Sequence, residues 1–113
     1  MYTGTHDNDT LLACYRGLKE SKNTRVLKIL EKYHGINNSM NEKKVCWALI
    51  EVVYKTKANL VILPLQDILG LGNQARMNYP GTVGGNWLWR YKKGDITEEI
   101  QERLAILSQK YHR

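Results

Sequence analysis

Apolar residues recur every three or four positions in four segments of the chain, and this spacing predicts four helices. The first begins near Leu11, where Asp9 or Thr10 can act as the N-cap. Its apolar stripe consists of Leu11, Leu12, Tyr15 and Leu18. The last helix covers about residues 97–111, with an apolar face formed by Ile100, Leu104, Leu107 and Tyr111. Both helices are amphipathic, so each must pack one face against the rest of the fold.

The second predicted helix follows an N-cap at Asn23 or Thr24 and ends at Gly35. A glycine directly after the last apolar residue is typical of a left-handed C-terminal cap, because glycine adopts that conformation without steric cost. The apolar positions of this helix are Val26, Leu27, Ile29, Leu30 and Tyr33.

The third predicted helix begins at a capping box formed by Ser39 and Glu42 and continues to about Lys57. In this motif the serine hydroxyl accepts the N3 amide, while the glutamate reaches back to the amide of the serine. Apolar residues nearly surround the helix, at Val45, Trp47, Leu49, Ile50, Val52 and Val53. We therefore expect it to be the most buried element of the fold.

Two short segments have the pattern of β-strands. Residues 59–63 form an apolar run that Pro64 stops, which is typical of a parallel strand covered on both faces. Residues 2–5 are the available partner, and two short strands do not make a stable sheet by themselves. The pattern thus predicts a mainly α fold with one or two short parallel β-strands, and it indicates a sheet that lacks strands.

The segment between Gln66 and Gly94 contains six glycines and no helical or alternating pattern. Structureless stretches of this length are usually functional or disordered in compact domains. Disorder does not fit the aromatic residues of this one, which include Tyr79, Trp87 and Trp89.

Length and charge narrow the possible functions. The 113 residues suit a single domain, 1–113, and the net charge is +6, from 17 basic and 11 acidic residues. The basic residues are scattered along predicted helices with no run of five, so we expect solvated helix faces and no nucleic-acid partner. The chain contains neither a signal peptide nor a long apolar span, so we predict a cytoplasmic protein without a membrane partner.

The two cysteines, Cys14 and Cys46, lie far apart in predicted helices. Neither belongs to a CxxC or Cys/His spacing that would indicate a metal site, so we predict two buried free thiols. We expect neither a metal nor another cofactor.

The opening stretch, MYTGTHDNDT, is crowded with polar residues. A strand that leads into His6 and Asp7 and then into a helix is typical of a strand end in an α/β barrel, where catalytic groups lie. Asp7 can place negative charge opposite a developing cation, and His6 can donate to a substrate hydroxyl. The alternative, which these residues alone favour, is that the acidic and amide side chains only cap the helix.

The long loop combines planar hydrogen-bonding groups with flat apolar rings. The polar groups are Gln66, Asp67, Arg76, Asn78, Asn86 and Arg90, and the rings are Tyr79, Trp87 and Trp89. Sugars are bound by this combination, because planar polar groups bind pairs of hydroxyls while a ring stacks on the CH face. In the alternative interpretation the tryptophans fill the core and Arg90 binds loop carbonyls.

Together, YTGTHDNDT and LPLQDILGLGNQARMNYPGTVGGNWLWR resemble the amylomaltases, which are 4-alpha-glucanotransferases of a glycoside hydrolase clan built on a (β/α)8 barrel. The resemblance covers essentially the whole chain. It implies that the chain corresponds to the last two units of a (β/α)8 TIM barrel plus a C-terminal helix, and that its partners are α-1,4-glucans, or maltooligosaccharides.

The resemblance also implies roles for single residues. The family's His-Asp pair after barrel strand seven matches His6 and Asp7, so Asp7 is the implied transition-state stabiliser and His6 a ligand of the donor sugar. Asn78 matches a position that lines the glucan groove. Four further residues fall in family-typical segments, where sugar contact and loop support both stay open: Asp67, Arg76, Trp87 and Arg90.

Retaining transglycosylation also needs a carboxylate nucleophile and an acid/base carboxylic acid. In the family both lie on earlier barrel strands, upstream of the match to Met1, so we expect the isolated chain to be inactive. It can then be a C-terminal fragment that contributes to a larger enzyme, a non-catalytic maltooligosaccharide-binding protein, or a purely structural fragment. Barrel faces left exposed would favour self-association.

Overall fold

Five α-helices make up most of the regular structure in a computed structural model that describes all 113 residues. Their bounds are α1, Leu11–Glu20; α2, Thr24–His34; α3, Glu42–Tyr54; α4, Leu65–Ile68; and α5, Glu98–Lys110. A 3-10 helix, Asn73–Ala75, follows α4. The predicted mainly α class is confirmed, while α4 was missed because one turn carries no periodicity. None of these helices has the length and apolar character that crossing a bilayer requires.

Side-chain caps explain where three of the helices begin. Thr10, Asn23 and Thr97 are the N-caps of α1, α2 and α5, and each side chain accepts a backbone N–H from the first turn of its helix. Gly35 ends α2 with a φ of 66°, the left-handed conformation that its position predicted.

The predicted capping box at Ser39 is wrong. Asn41 is the N-cap of α3, and its side chain accepts a first-turn N–H at 3.0 Å. The Ser39 hydroxyl instead donates to the side-chain oxygen of Asn37, within the preceding turn. Glu42 does not reach back to cap the helix because its carboxylate pairs with both Nε and Nη2 of Arg16 on α1.

The core is built around α3, as its continuous apolar pattern predicted. Five of its side chains are buried: Val45, Cys46, Ile50, Val53 and Tyr54. Tyr15 of α1 and Ile36, which follows α2, pack with Val45 in one cluster. Helices α2 and α5 contain no buried residue, so they cover the outside of this core. Helix α3 ends at Tyr54, three residues before its predicted end at Lys57.

The one or two predicted β-strands are absent from the structure. The two candidate segments meet in a single parallel bridge between Tyr2 and Ile62. The Ile62 N–H donates to the Met1 carbonyl at 2.9 Å, and the Met1 ammonium donates to the Leu60 carbonyl at 3.0 Å. A ladder extends only when each strand has neighbours for its backbone groups, and two short segments do not supply them.

The cysteine prediction holds for one residue and fails for the other. Both thiols are free, but Cys46 is buried, whereas Cys14 is exposed because α1 turns Leu12 and Tyr15 towards the core. Burial, with smaller contributions from the carboxylates of Asp67 and Glu42, raises the pKa of Cys46 to about 11. Cys46 is therefore a structural thiol.

Candidate functional site

The loop that precedes α1 is closed by its own side chains. The Asn8 side-chain oxygen accepts the Thr5 N–H at 2.8 Å and the Thr5 hydroxyl at 2.9 Å, and the Asn8 N–H donates to the Thr5 carbonyl at 3.1 Å. Since Thr10 caps α1 and Asn8 closes the turn, His6 and Asp7 are not needed as caps. Their side chains lie at the tip of the turn and are 53% and 49% exposed.

Four of the predicted site residues meet at this tip. Nε2 of His6 lies 3.2 Å from Oδ2 of Asp7. The Asn78 amide donates to Oδ1 of the same carboxylate at 2.7 Å. The Trp87 ring lies beside the imidazole, with ring centroids 5.0 Å apart and an angle of 41° between the planes. The structure thus places a carboxylate, an imidazole, an amide and an indole on one exposed surface.

Arg76 joins the two chain segments that form this surface. Its Nη1 lies 2.8 Å from Oδ1 of Asp9, its Nη2 donates to the Asp7 carbonyl at 2.9 Å, and its Nε donates to the Asn78 carbonyl at 3.2 Å. The guanidinium also lies over the Tyr79 ring, 4.3 Å from the centroid. The sequence marked Arg76 as one planar polar group of the long loop and as a residue in a family-typical segment.

Asn73 makes a second link between the same segments, and the sequence did not identify it as a site residue. Its side-chain oxygen accepts the Thr10 N–H at 3.2 Å, and its amide donates to Oδ1 of Asp9 at 3.1 Å. Its backbone carbonyl accepts the Tyr79 hydroxyl at 2.7 Å. The available signal was that Asp9 and Thr10 both qualified as N-caps, so one of the two had to be free for another partner.

Asp67 is buried beneath the loop, with 3% of its surface exposed. One carboxylate oxygen accepts the Leu11 N–H at 2.8 Å, and the other accepts the Thr3 hydroxyl. A buried carboxylate is tolerated when both oxygens are bonded in this way. Of the two interpretations left open for Asp67, these contacts favour loop support.

The chain returns to the site through a turn that ends at Trp87. The side chain of Asn86 accepts the Tyr79 N–H at 2.9 Å, and the Trp87 N–H donates to the Met77 carbonyl. Trp87 has a φ of 63°, in the left-handed region, and half of its surface is exposed. Trp87 therefore does not fill the core. Arg90 donates to the carbonyls of Trp87 at 3.0 Å and Trp89 at 2.8 Å, as the loop-support interpretation predicts.

A cleft of about 130 Å³ lies between the opening loop and residues of the segment 64–77. Its lining is mainly polar and includes Thr5, His6, Asn8, Asp9, Gln66 and Arg76. Such a surface offers hydrogen bonds to a ligand rich in hydroxyl groups. His6 connects the cleft to the exposed surface formed with Asp7, Asn78 and Trp87, which do not themselves line it. No group of three or more His, Cys, Asp or Glu side chains is arranged to hold a metal ion.

Comparison with known proteins identifies relatives over this same region. The sequence model of a family described as 4-alpha-glucanotransferase matches residues 1–97. A 4-alpha-glucanotransferase of Thermus thermophilus is 41% identical over 109 residues, which are 96% of this chain and 21% of that protein. Another, from Synechocystis, is 37% identical over 113 residues, with coverage of 100% and 21%.

One solved structure shows the same arrangement of the backbone. The amylomaltase from Streptococcus agalactiae, in complex with acarbose, superimposes with a TM-score of 0.83 and 30% sequence identity over 99% of this chain. The match covers 21% of that chain. The 113 residues therefore span about a fifth of the length of the relatives that they match.

Proposed function

The chain belongs to the 4-alpha-glucanotransferase family, and we propose from this that it forms the C-terminal part of an enzyme that transfers α-1,4-glucan segments with retention of configuration. The observation that carries the proposal is the contact of Asp7 with both His6 and Asn78 on an exposed surface. The complex of the related amylomaltase with acarbose supports an α-glucan ligand.

In this proposal Asp7 is the catalytic residue. Glycosyl transfer passes through an oxocarbenium-like transition state, which a fixed carboxylate stabilises. The Asn78 amide and the imidazole of His6 hold one oxygen each, and each oxygen keeps lone pairs that can accept sugar hydroxyls. The pair of contacts orients the carboxylate without burying it.

His6, Asn78 and Trp87 are the proposed sugar ligands. Half of the Trp87 surface is open for stacking, and its ring is already aligned beside the His6 imidazole. The His6 side chain is also half exposed, so a hydroxyl can reach its ring nitrogens. We assign Asp67 and Arg90 to support of the loops. Both Asp67 oxygens accept hydrogen bonds, from the Leu11 N–H and the Thr3 hydroxyl, and Nη1 of Arg90 donates to two loop carbonyls.

We further propose that the isolated 113-residue chain is inactive. Retaining transfer needs two carboxyl groups about 5–5.5 Å apart. The acidic residues that line the cleft are Asp9, which binds Arg76 and Asn73, and Asp67, which is bound on both oxygens. Both carboxylates already pair with protein groups, which supports inactivity of the isolated chain.

Titration of the chain with maltotriose tests the proposal, with the side-chain NMR signals of Asn78 and Trp87 as reporters. We expect both signals to shift at millimolar sugar, and Asp7→Asn to need about tenfold more sugar for the same shifts. An unchanged spectrum would contradict a sugar site here and leave the purely structural alternative. Glucose release by the wild-type chain, absent from Asp7→Asn, would contradict the proposed inactivity and also exclude the non-catalytic binding alternative.

We also propose that the isolated chain self-associates through the edge formed by Tyr2, Leu60 and Ile62. These side chains are 57%, 65% and 56% exposed beside a single bridge, so apolar surface and unpaired backbone groups occur together. Light scattering of wild type and Leu60→Lys tests this, since a charge on an edge blocks pairing. A wild-type monomer would contradict it. A cytoplasmic location and the lack of nucleic-acid and membrane partners remain predictions.

A further inference from the structure

Arg76 binds the backbone of the two residues whose side chains meet at the site. Its Nη2 holds the Asp7 carbonyl and its Nε holds the Asn78 carbonyl, while the Asn78 amide bonds the Asp7 carboxylate. The loop before α1 and the segment after the 3-10 helix have no backbone hydrogen bond to each other in residues 5–9 and 76–79. Their spacing there depends on side chains, and Arg76 contributes two of the bonds that cross, to Asp9 and to the Asp7 carbonyl. Its third bond, to the Asn78 carbonyl, holds the guanidinium within its own segment.

The guanidinium is held on its other sides as well. The Arg76 side chain is 11% exposed, and the Tyr79 ring covers it at 4.3 Å. Asp9 accepts from Nη1, and the Asn73 amide holds the same Asp9 oxygen. A planar group with donors in fixed directions, confined between a ring and three acceptors, has one available orientation.

Arg76 also compensates the charge of Asp9. Asp7 and Asp9 are two carboxylates on one short loop, and like charges at this separation along a chain repel each other. The Arg76 guanidinium lies 2.8 Å from Asp9 and pairs with that charge, so Asp7 remains the carboxylate of this loop that is not paired with an arginine.

We propose that Arg76 is a positioning residue that sets the distance between Asp7 and Asn78, with Asp9 as its anchor. It acts through these residues and not on the ligand. Its effect on sugar binding rests on the proposed function, whereas its effect on the two loops does not.

The first experiment measures the loops without ligand. In Arg76→Lys one ammonium nitrogen replaces the guanidinium fork, whose three nitrogens each bind one acceptor in a fixed direction. The backbone order parameters of Asp7 and Asn78 should therefore fall from about 0.85 to below about 0.6. Asp9→Asn should also lower these order parameters, and it tests the same contact with almost no change in side-chain shape. Arg25→Lys, on the exposed face of α2, is the matched control. Unchanged order parameters in folded Arg76→Lys would overturn the proposal.

The second experiment measures maltotriose affinity by NMR titration. In the wild-type background, Arg76→Lys should weaken maltotriose binding about tenfold. In the Asp7→Asn background it should have no further effect, because the effects of substituting two coupled residues are not additive. Equal losses in both backgrounds would show a merely structural role and overturn the proposal. If wild type binds no sugar, the proposed function fails, and the order parameters alone decide the role of Arg76.

Discussion

Asn78 and Asp7 are 71 positions apart in the sequence, and the amide of one donates to the carboxylate of the other at 2.7 Å. The bond crosses from the segment after the 3-10 helix to the loop before α1. It fixes the orientation of the one site carboxylate that is neither buried nor bound to arginine.

Asn78→Asp should weaken maltotriose binding about tenfold or more, because it replaces the donor by a second negative charge beside Asp7. The free energy of unfolding should change by less than about 1 kcal/mol, because the bond is exposed to solvent. NMR titration and urea denaturation measure the two effects. Asn59→Asp, the same change at an exposed position outside the site, is the control. Equal sugar affinity in the two variants would contradict a role for the Asn78 amide.

Asp67→Asn should lower the free energy of unfolding by about 1–3 kcal/mol, because a side-chain NH2 then faces a donor or leaves one unpaired in a buried site. In the wild-type chain the Asp67 carboxylate accepts hydrogen bonds from both the Leu11 N–H and the Thr3 hydroxyl. Urea denaturation measures the loss. Thr3→Val, which removes one of the two donors, should cost less. A fully stable Asp67→Asn variant that binds sugar poorly would instead support direct contact of Asp67 with the ligand.

The pair between α3 and α5 should make stability depend on acid pH. Hydrogen bonds from Lys110 and then from Tyr111 lower the pKa of Glu51 below its ordinary 4.5. A lowered carboxyl pKa gives stability that is present above pH 4.5 and is lost as the pH falls through the lower folded value. At neutral pH the melting temperature of wild type should therefore exceed that of Glu51→Gln. The difference should be a few degrees at most, because the pair is partly exposed. Below the folded pKa of Glu51 the two melting temperatures should be equal.

Melting curves between pH 3 and pH 7 measure this difference, and Glu31→Gln on the exposed face of α2 is the control. A gap between wild type and Glu51→Gln that persists unchanged at the acid limit would contradict ionisation of Glu51 as its cause.

The two thiols should react at very different rates with iodoacetamide at pH 8. Cys14 is exposed, although partial desolvation and the carboxylates of Asp9 and Asp67 raise its pKa as well. Cys46 is buried and its pKa is raised to about 11, so only about one Cys46 in a thousand is ionised at that pH. Mass spectrometry should find one label on the native chain and two after denaturation. In Cys14→Ser the native chain should stay unlabelled, and rapid labelling of that variant would show that α3 is not packed as described.

The local parts of this fold could be predicted from the sequence. Helices α1, α2, α3 and α5 follow from apolar periodicity, and Thr10, Asn23 and Gly35 were identified as caps by rules that involve only neighbouring residues. The exception at Ser39 has a long-range cause, since Glu42 is bound to Arg16, 26 positions away.

The site could be predicted only as a set of candidates. The sequence identifies residues 6, 7, 78 and 87 as candidates. Their contacts, however, depend on Arg76 and Asn73, which bring two distant segments together. Such contacts join residues more than 60 positions apart, which no local pattern encodes. For the same reason, only the structure could distinguish sugar contact from loop support as the role of Asp67 and Arg90.

The backbone conformation of Trp87 is unfavourable for a residue with a side chain. A φ of 63° is unfavourable for a bulky L-residue, by about 1 kcal/mol or more, whereas glycine adopts it freely. The chain holds this conformation where the indole lies beside His6. Ranked by stability alone, glycine would stand above tryptophan at this position. Ranked by the ring surface offered to a ligand, the order is reversed, so the two properties are in direct competition at one residue.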